Sequence, residues 1–279
     1  MSLCIAATCK HEGVPCVVHC CDMAGTRGDV KSEDVIKIQN VGACTVLLAG
    51  NMSHARRLLT ACSGAIESFP LGGDDLAITK LIRGLVAAGK EMKRELATEQ
   101  LSSQFGLTYD EVFNFSPTRL DDPVFIDAWR VIRSVGLGAE LIISAFSDDE
   151  VALLTMESDG KVIWTPHFAA VGTGNQICQA FLLQRDYFDH MNLGECLYRV
   201  LEAKIAAERN NHVGRKTNLE VRLPRKNYDV GASYVDRTRK EIEQRRALPM
   251  LEIPTELEEF GTGTITAGIE KAHALSSGQ

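Results

Sequence analysis

The order in which hydrophobic periodicity changes along this chain is its strongest constraint. Up to Gly50 apolar residues recur with the short period of strands, and after Gly50 the spacing lengthens to three and four. Residues 3–8 and 14–21 are short runs rich in apolar, β-branched and cysteine residues, parted by the polar turn Lys10-His11-Glu12-Gly13 and closed by Asp22. Residues 24–29 read as a loop. Val35-Ile36-Lys37-Ile38 and residues 44–49 supply two more short strands, with residues 40–42 turning between them. Met52, Ala55, Leu59, Cys62 and Ile66 then fall on one helical face, which Pro70 and Gly72-Gly73 terminate. A longer helix follows, with the stripe Ile78, Ile82, Leu85, Met92 and Leu96 and with Gly89 in the same row. Both stripes read as core.

Residues 105–138 are weakly patterned, with a short helix expected at 126–132. Strands return at 140–146, 152–157 and 161–164, the last two joined by Ser158-Asp159-Gly160. Helices are expected at 175–189 and 193–209, the second burying Leu197, Val200, Leu201 and Ile205, and residues 218–223 form a closing strand. Strands, two helices, strands, two helices, strand is not βαβ alternation. It predicts an α+β fold, a four-layer αββα sandwich of two antiparallel sheets with a helix pair on each outer face. From Pro224 onward the chain is charged, with a helix expected at 236–246 and a Gly/Thr-rich stretch at 261–268. The expected organisation is a domain over 1–223, with an insertion at about 105–138, and a C-terminal extension over 224–279 that docks on its own subunit or a neighbour.

Charge and motifs exclude several function classes. Thirty Lys and Arg against 37 Asp and Glu give a net charge of -7, so no global basic field recruits nucleic acid or an anionic membrane. No apolar run approaches the roughly 20 residues that span a bilayer. The first residues lack the basic start and long apolar core of a signal peptide. Nine cysteines without CxxC spacing fit buried free thiols in a reducing cytoplasm. Gly172-Thr173-Gly174-Asn175-Gln176-Ile177 carries two glycines of a dinucleotide fingerprint, but Ile177 takes the place of the third. There is no GxxxxGK[ST], HExxH, GxSxG or EF-hand loop, and the seven histidines have no ligand spacing, so neither a cofactor nor a metal is expected. His19, on a strand, reads as a core histidine.

The start of the chain remains. Ser2 follows the initiator methionine, and its small side chain permits removal of Met1. That leaves a hydroxyl and a free α-amine on one residue at a strand end. The α-amine, with a pKa of about 7.7–8.0, needs only modest depression to act as a base for its own hydroxyl. Asp22 closes the adjacent strand, Lys37 is a cation in an apolar strand, and Ala49-Gly50-Asn51 ends a strand and opens a helix with exposed N–H groups suited to an oxyanion. Taken singly, Ser2 is also a tolerated second residue, Lys37 an edge lysine, Asp22 a turn cap and Gly50 a helix-entry glycine.

Together, in this order, they resemble the proteasome β-subunit family of N-terminal nucleophile hydrolases, including bacterial peptidase rings and the ancestral β-subunit branch. The resemblance covers about residues 2–223. Ser2 and Asp22 stand at the family's nucleophile and strand-end carboxylate, with a few extra residues in the turn around His11 and Pro15. Val35-Ile36-Lys37-Ile38 is similar to the V-x-K-[IV] strand of the catalytic lysine. Ala49-Gly50-Asn51-Met52-Ser53-His54-Ala55 is similar to the A-G-x-x-[AS]-[DH]-A junction, and Ala170-Val171-Gly172-Thr173-Gly174 to the [AV]-[IV]-G-[ST]-G turn. Asn210 and Asn175 stand in supporting positions where the family carries an aspartate and a serine. The resemblance implies a peptidase or amidase with Ser2, Asp22, Lys37 and Gly50 at its site, acting on a peptide or protein without a cofactor. The alternative it leaves open is a catalytically silent subunit with an assembly role. It also implies a homo-oligomer, ring or helical, and an ATP-dependent unfoldase as partner. Met52, Leu59 and Ile66, with Phe181, Tyr187 and Phe188, are expected to offer apolar surface beyond what one sandwich face absorbs.

Overall fold

The computed structural model describes residues 2–27, 30–32, 34–115, 122–147 and 150–247. The chain divides into a compact unit over Met1–Asp236 and a second over Arg237–Gln279. In the first, β1 (Leu3–His11) and β2 (Val14–Asp22) form a hairpin. β3 (Gly25–Arg27) and β4 (Val30–Ser32) make a small ribbon, and β5 (Ile38–Val41) and β6 (Cys44–Gly50) a second hairpin. Helices α1 (Met52–Glu67) and α2 (Asp75–Phe105) follow, then α3 (Tyr109–Phe115) and α4 (Pro123–Ser134). Strands β7 (Ala139–Phe146), β8 (Val151–Met156), β9 (Val162–Thr165) and β10 (Phe168–Gly172) lead to α5 (Asn175–Gln184) and α6 (Leu193–Ala207). β11 (Thr217–Leu223) and β12 (Lys226–Asp229) complete the strands, and α7 (Ala232–Ala247) starts at the end of this unit. Of the second unit, the structure describes residues 237–247, the remainder of α7.

Two five-stranded antiparallel sheets result, in the orders β10-β1-β2-β11-β12 and β5-β6-β7-β8-β9. Period-two alternation decides which face each side chain joins. Leu3, Ile5, Ala7 and Cys9 of β1 pack with Cys178 and Leu182 of α5 and Val200 and Leu201 of α6. Cys4 and Ala6, between them, meet Leu47 and Ala49 of β6 and Ile142 of β7 in the layer between the sheets. The opposite face of β6, through Val46 and Leu48, packs under Leu58, Cys62 and Ile66 of α1 and Leu85 of α2. Helix pair, sheet, sheet, helix pair is the four-layer αββα order expected from the periodicity.

Details differ from expectation for local reasons. Lys37 precedes β5 rather than lying inside a strand, although its carbonyl still accepts the Leu48 N–H at 2.9 Å. The β5–β6 turn is at Gly42, where φ is +56°, so Asn40 and Val41 remain in the ladder. The β1–β2 turn places positive φ at Glu12 and Gly13, the backbone twist a two-residue hairpin needs. Within 24–29, expected to be a loop, Gly25–Arg27 forms β3 and pairs with β4. The described residues of the weak stretch 105–138 hold two helices, not one: Val112 of α3 and Phe125 and Ala128 of α4 bury against Leu101 near the end of α2. α5 stops at Gln184, short of 189, and β12 adds an edge strand that was not expected. The Gly/Thr-rich stretch 261–268 lies outside the described residues. Of the residues expected to leave surplus apolar surface, Leu59, Ile66 and Tyr187 are absorbed by the core while Phe188 is exposed, as are Leu76 of α2 and Leu183 of α5.

All nine cysteines are free and buried. His19 is fully buried between the sheets, where its Nε2 meets Ser144 Oγ at 2.7 Å. Ser144 donates to the Thr45 carbonyl, which assigns the ring proton to Nε2, and Nδ1 has no hydrogen-bond partner among the described residues. Burial, with the Arg222 charge second, holds the imidazole pKa down to about 3. An unfolded chain binds this proton near pH 6.5, so the stability from a neutral His19 is complete above that pH and drains as pH falls toward 3. Linkage gives a loss of about 2 kcal/mol from pH 7 to pH 5. Urea unfolding at both pH values checks this: His19→Gln should show a pH slope shallower by about that amount, and equal slopes would reject the assignment.

Candidate active site

The β1–β2 hairpin sets the first two residues of the site. Register pairs Cys4 with Cys21, so the start of β1 lies beside the end of β2, and Asp22 faces the Ser2–Leu3 peptide. Asp22 Oδ1 accepts the Leu3 N–H at 2.7 Å. The same oxygen accepts Lys37 Nζ at 2.7 Å, with Asp22 fully buried and Lys37 1% exposed. Asp22 Oδ2 accepts the Gly214 N–H at 2.9 Å. A buried carboxylate is costly unless paired and hydrogen-bonded, and this one has a cation and two peptide donors.

The β6–α1 junction brings the third part. Asn51 caps α1, its side chain accepting the Ser53 and His54 N–H groups, while its own N–H donates to Gly138 O at 2.9 Å. Gly50 before it has φ +90°, and a Cβ there would lie 2.7 Å from Gly138 O and 2.9 Å from Ala139 Cα. Only glycine fits. Its N–H donates to Ser2 Oγ at 3.1 Å. Across β1, Gly172 pairs with Leu3 at φ +91°, and a Cβ there would come 2.1 Å from the Ser2 carbonyl oxygen. Glu140, at the start of β7 in the other sheet, accepts the Gly172 N–H at 2.8 Å and so ties the two sheets together beside Ser2.

Ser2, Lys37, Gly50, Val35, Met52, Arg56 and Thr173 line a cleft of about 1770 Å³ that runs on between α1 and α2. Ser2 itself is 2% exposed. The structure thus gathers four of the residues singled out from sequence: Ser2, Asp22, Lys37 and Gly50. The hydrogen bond to the Ser2 hydroxyl comes from the Gly50 N–H, not from Asn175 or Asn210. Asn175 opens α5, directly after its N-cap Gly174. Asn210 accepts the His212 N–H and reaches Thr173 O at 3.5 Å, one residue beyond Gly172. Glu140 and Gly214 were missed. The signal for Glu140 is a carboxylate opening the apolar run Leu141-Ile142-Ile143; nothing local marks Gly214.

Burial pushes Cys20 up to about 12 and Cys21 well above its ordinary range, so both stay protonated. Among the described residues no cluster of three or more His, Cys, Asp or Glu could hold a metal ion, and no helix is long and apolar enough to cross a membrane.

No family model matches the chain, and no curated protein sequence matches it. Its fold is nevertheless similar to solved structures. Anbu (ancestral beta-subunit) from Yersinia bercovieri superposes with a TM-score of 0.58 at 13% identity, over 90% of this chain and 99% of that one. An Anbu Gly-1 mutant from Hyphomicrobium sp. strain MC1 gives 0.56 at 14% identity, over 88% and 95%. The chain shares the fold of these two structures.

Proposed function

We propose that this chain is a proteasome-like peptidase or amidase whose nucleophile is Ser2, freed by removal of Met1. The observation that carries the reading is the convergence on one residue: Gly50 N–H donates to Ser2 Oγ while Asp22, bound to Lys37, holds the Ser2–Leu3 peptide. Ser2 Oγ attacks a substrate carbonyl carbon as the α-amine takes the hydroxyl proton. The Gly50 N–H turns to the resulting oxyanion. The C–N bond breaks, the proton passes from the α-amine to the leaving amine, and an acyl ester remains on Oγ. Water, deprotonated by the same α-amine, hydrolyses it. The Lys37 charge disfavours protonation of the amine and favours negative charge on the oxygen. Asp22 keeps that ammonium in place.

A silent subunit is the second reading, favoured by one observation: Asn210 and Asn175 offer neither the carboxylate nor the hydroxyl that the resemblance leads one to expect. We further infer that the subunit works in a homo-oligomeric ring or helical assembly in the cytoplasm, fed by an ATP-dependent unfoldase. Nine buried free thiols support the compartment.

Three measurements test this. Protein whose intact mass shows loss of Met1 should acquire one β-lactone acyl group on Ser2, and Ser2→Ala should acquire none; equal labelling of both removes the assignment, and an unlabelled wild type favours the silent subunit. Lys37→Met should lower stability, because Asp22 loses its cation, and should slow acylation by about 10²–10³ in the protein that circular dichroism shows folded. An unchanged rate would make Lys37 structural only. Light scattering at micromolar concentration should give roughly six or more subunits, as closed or helical repetition of one contact produces. A monomer would overturn the assembly.

A further inference from the structure

Lys204 of α6 is fully buried, on a helix whose neighbouring residues Val200, Leu201, Ala203 and Ala207 are core. Its Nζ donates to Gly214 O at 2.9 Å and Arg215 O at 2.8 Å, and pairs with Glu208 one turn along the helix. Desolvating an ammonium costs several kcal/mol even when it is paired, and an apolar side chain would fill the same space more cheaply. What the lysine adds is geometric. It grips two consecutive carbonyls in the connection between α6 and β11.

Gly214 is therefore held at both ends. Its carbonyl is taken by Lys204 and its N–H is given to Asp22 Oδ2. It is also wedged against Ala24, since a Cβ on Gly214 would lie 2.6 Å from Ala24 Cβ and 3.1 Å from Ala24 N. With Oδ1 occupied by Lys37 and the Leu3 N–H, the Gly214 N–H sets the remaining oxygen and with it the plane of the carboxylate. We propose that Lys204 is a positioning residue for the nucleophile: it fixes Gly214, Gly214 fixes Asp22, and Asp22 fixes both Lys37 and the peptide that carries Ser2. This rests on the reading of Ser2 as the nucleophile. No contact between Lys204 and Ser2 is involved, so the effect must travel through Asp22.

The test uses the full chain with Met1 removed and a β-lactone as probe, following acylation of Ser2 by intact mass over a range of probe concentrations. Lys204→Met should lower the saturating acylation rate by about 10- to 100-fold, as small displacements of a reacting group do, and leave the half-saturating concentration within about twofold. Lys204→Arg, which keeps a cation able to reach the carbonyls, should recover most of the rate. Gly214→Ala, which displaces the loop while leaving Lys204 in place, should reproduce the loss. Hydrogen–deuterium exchange should quicken in the peptide containing Gly214 in both Lys204→Met and Gly214→Ala. If Lys204→Met does not fold, Gly214→Ala decides alone. Wild-type rates in the folded variants, with the wild type itself labelled, overturn the role of Lys204 and leave Ser2 standing. A wild type that is never labelled overturns Ser2 and Lys204 together.

Discussion

One buried carboxylate organises this molecule's candidate site. Asp22 takes donors from three places distant in sequence: the Leu3 N–H of β1, the Lys37 ammonium ahead of β5, and the Gly214 N–H after α6. Charge-assisted bonds of this kind are roughly twice as strong as neutral ones, and in a dry site they are costly to break. The hairpin, the approach to the second sheet and the α6–β11 connection must therefore all be correct before the carboxylate is satisfied. Correct folding and correct placement of Ser2 become one condition.

Around that anchor, side chains are removed rather than added. Gly50 and Gly172 both sit near φ +90° and both lie where any Cβ would strike backbone. Gly50 brings β6 against the start of β7, and Gly172 brings β10 against the Ser2 carbonyl. Two sheets thereby reach within hydrogen-bonding distance of one serine, and Glu140 closes the seam by spanning from one sheet to the other.

Most of the layer order was legible because burial on alternate residues and on helical stripes is written directly into the sequence. Ile66 and Leu85 under one sheet and Leu197 and Val200 under the other fall where periodicity places them. Asp22, Lys37 and Gly50 were legible for a different reason: a charge closing an apolar run, a cation among β-branched residues and a glycine at a strand–helix junction each violate the local pattern. Glu140 and Lys204 violate it too, but their partners are backbone groups of Gly172 and Gly214, and no sequence signal announces which peptide a side chain will reach. The helices within 105–138 were blurred because Val112, Phe125 and Ala128 pack on Leu101 of a helix long finished, leaving each segment only a narrow apolar side. Lys37 fell outside its strand because the ladder begins at Ile38, a difference of one residue that periodicity does not resolve.

The β1–β2 hairpin has a clamped end and a free end. Asp22 and Leu3 lock the open end, whereas Glu12 and Gly13 form an exposed turn at the tip. Nine residues of strand at about 3.3 Å each separate the two, roughly 30 Å of chain. Register is thus enforced where the strands begin and end, not where they turn, and the hairpin tolerates residues added in facing pairs at its tip. The start of the chain has no such latitude: Ser2 is enclosed and its carbonyl already touches Gly172. A fluorophore or affinity handle for this protein therefore belongs in the loop between Glu12 and Gly13, where it hangs in solvent a full strand length from the cleft.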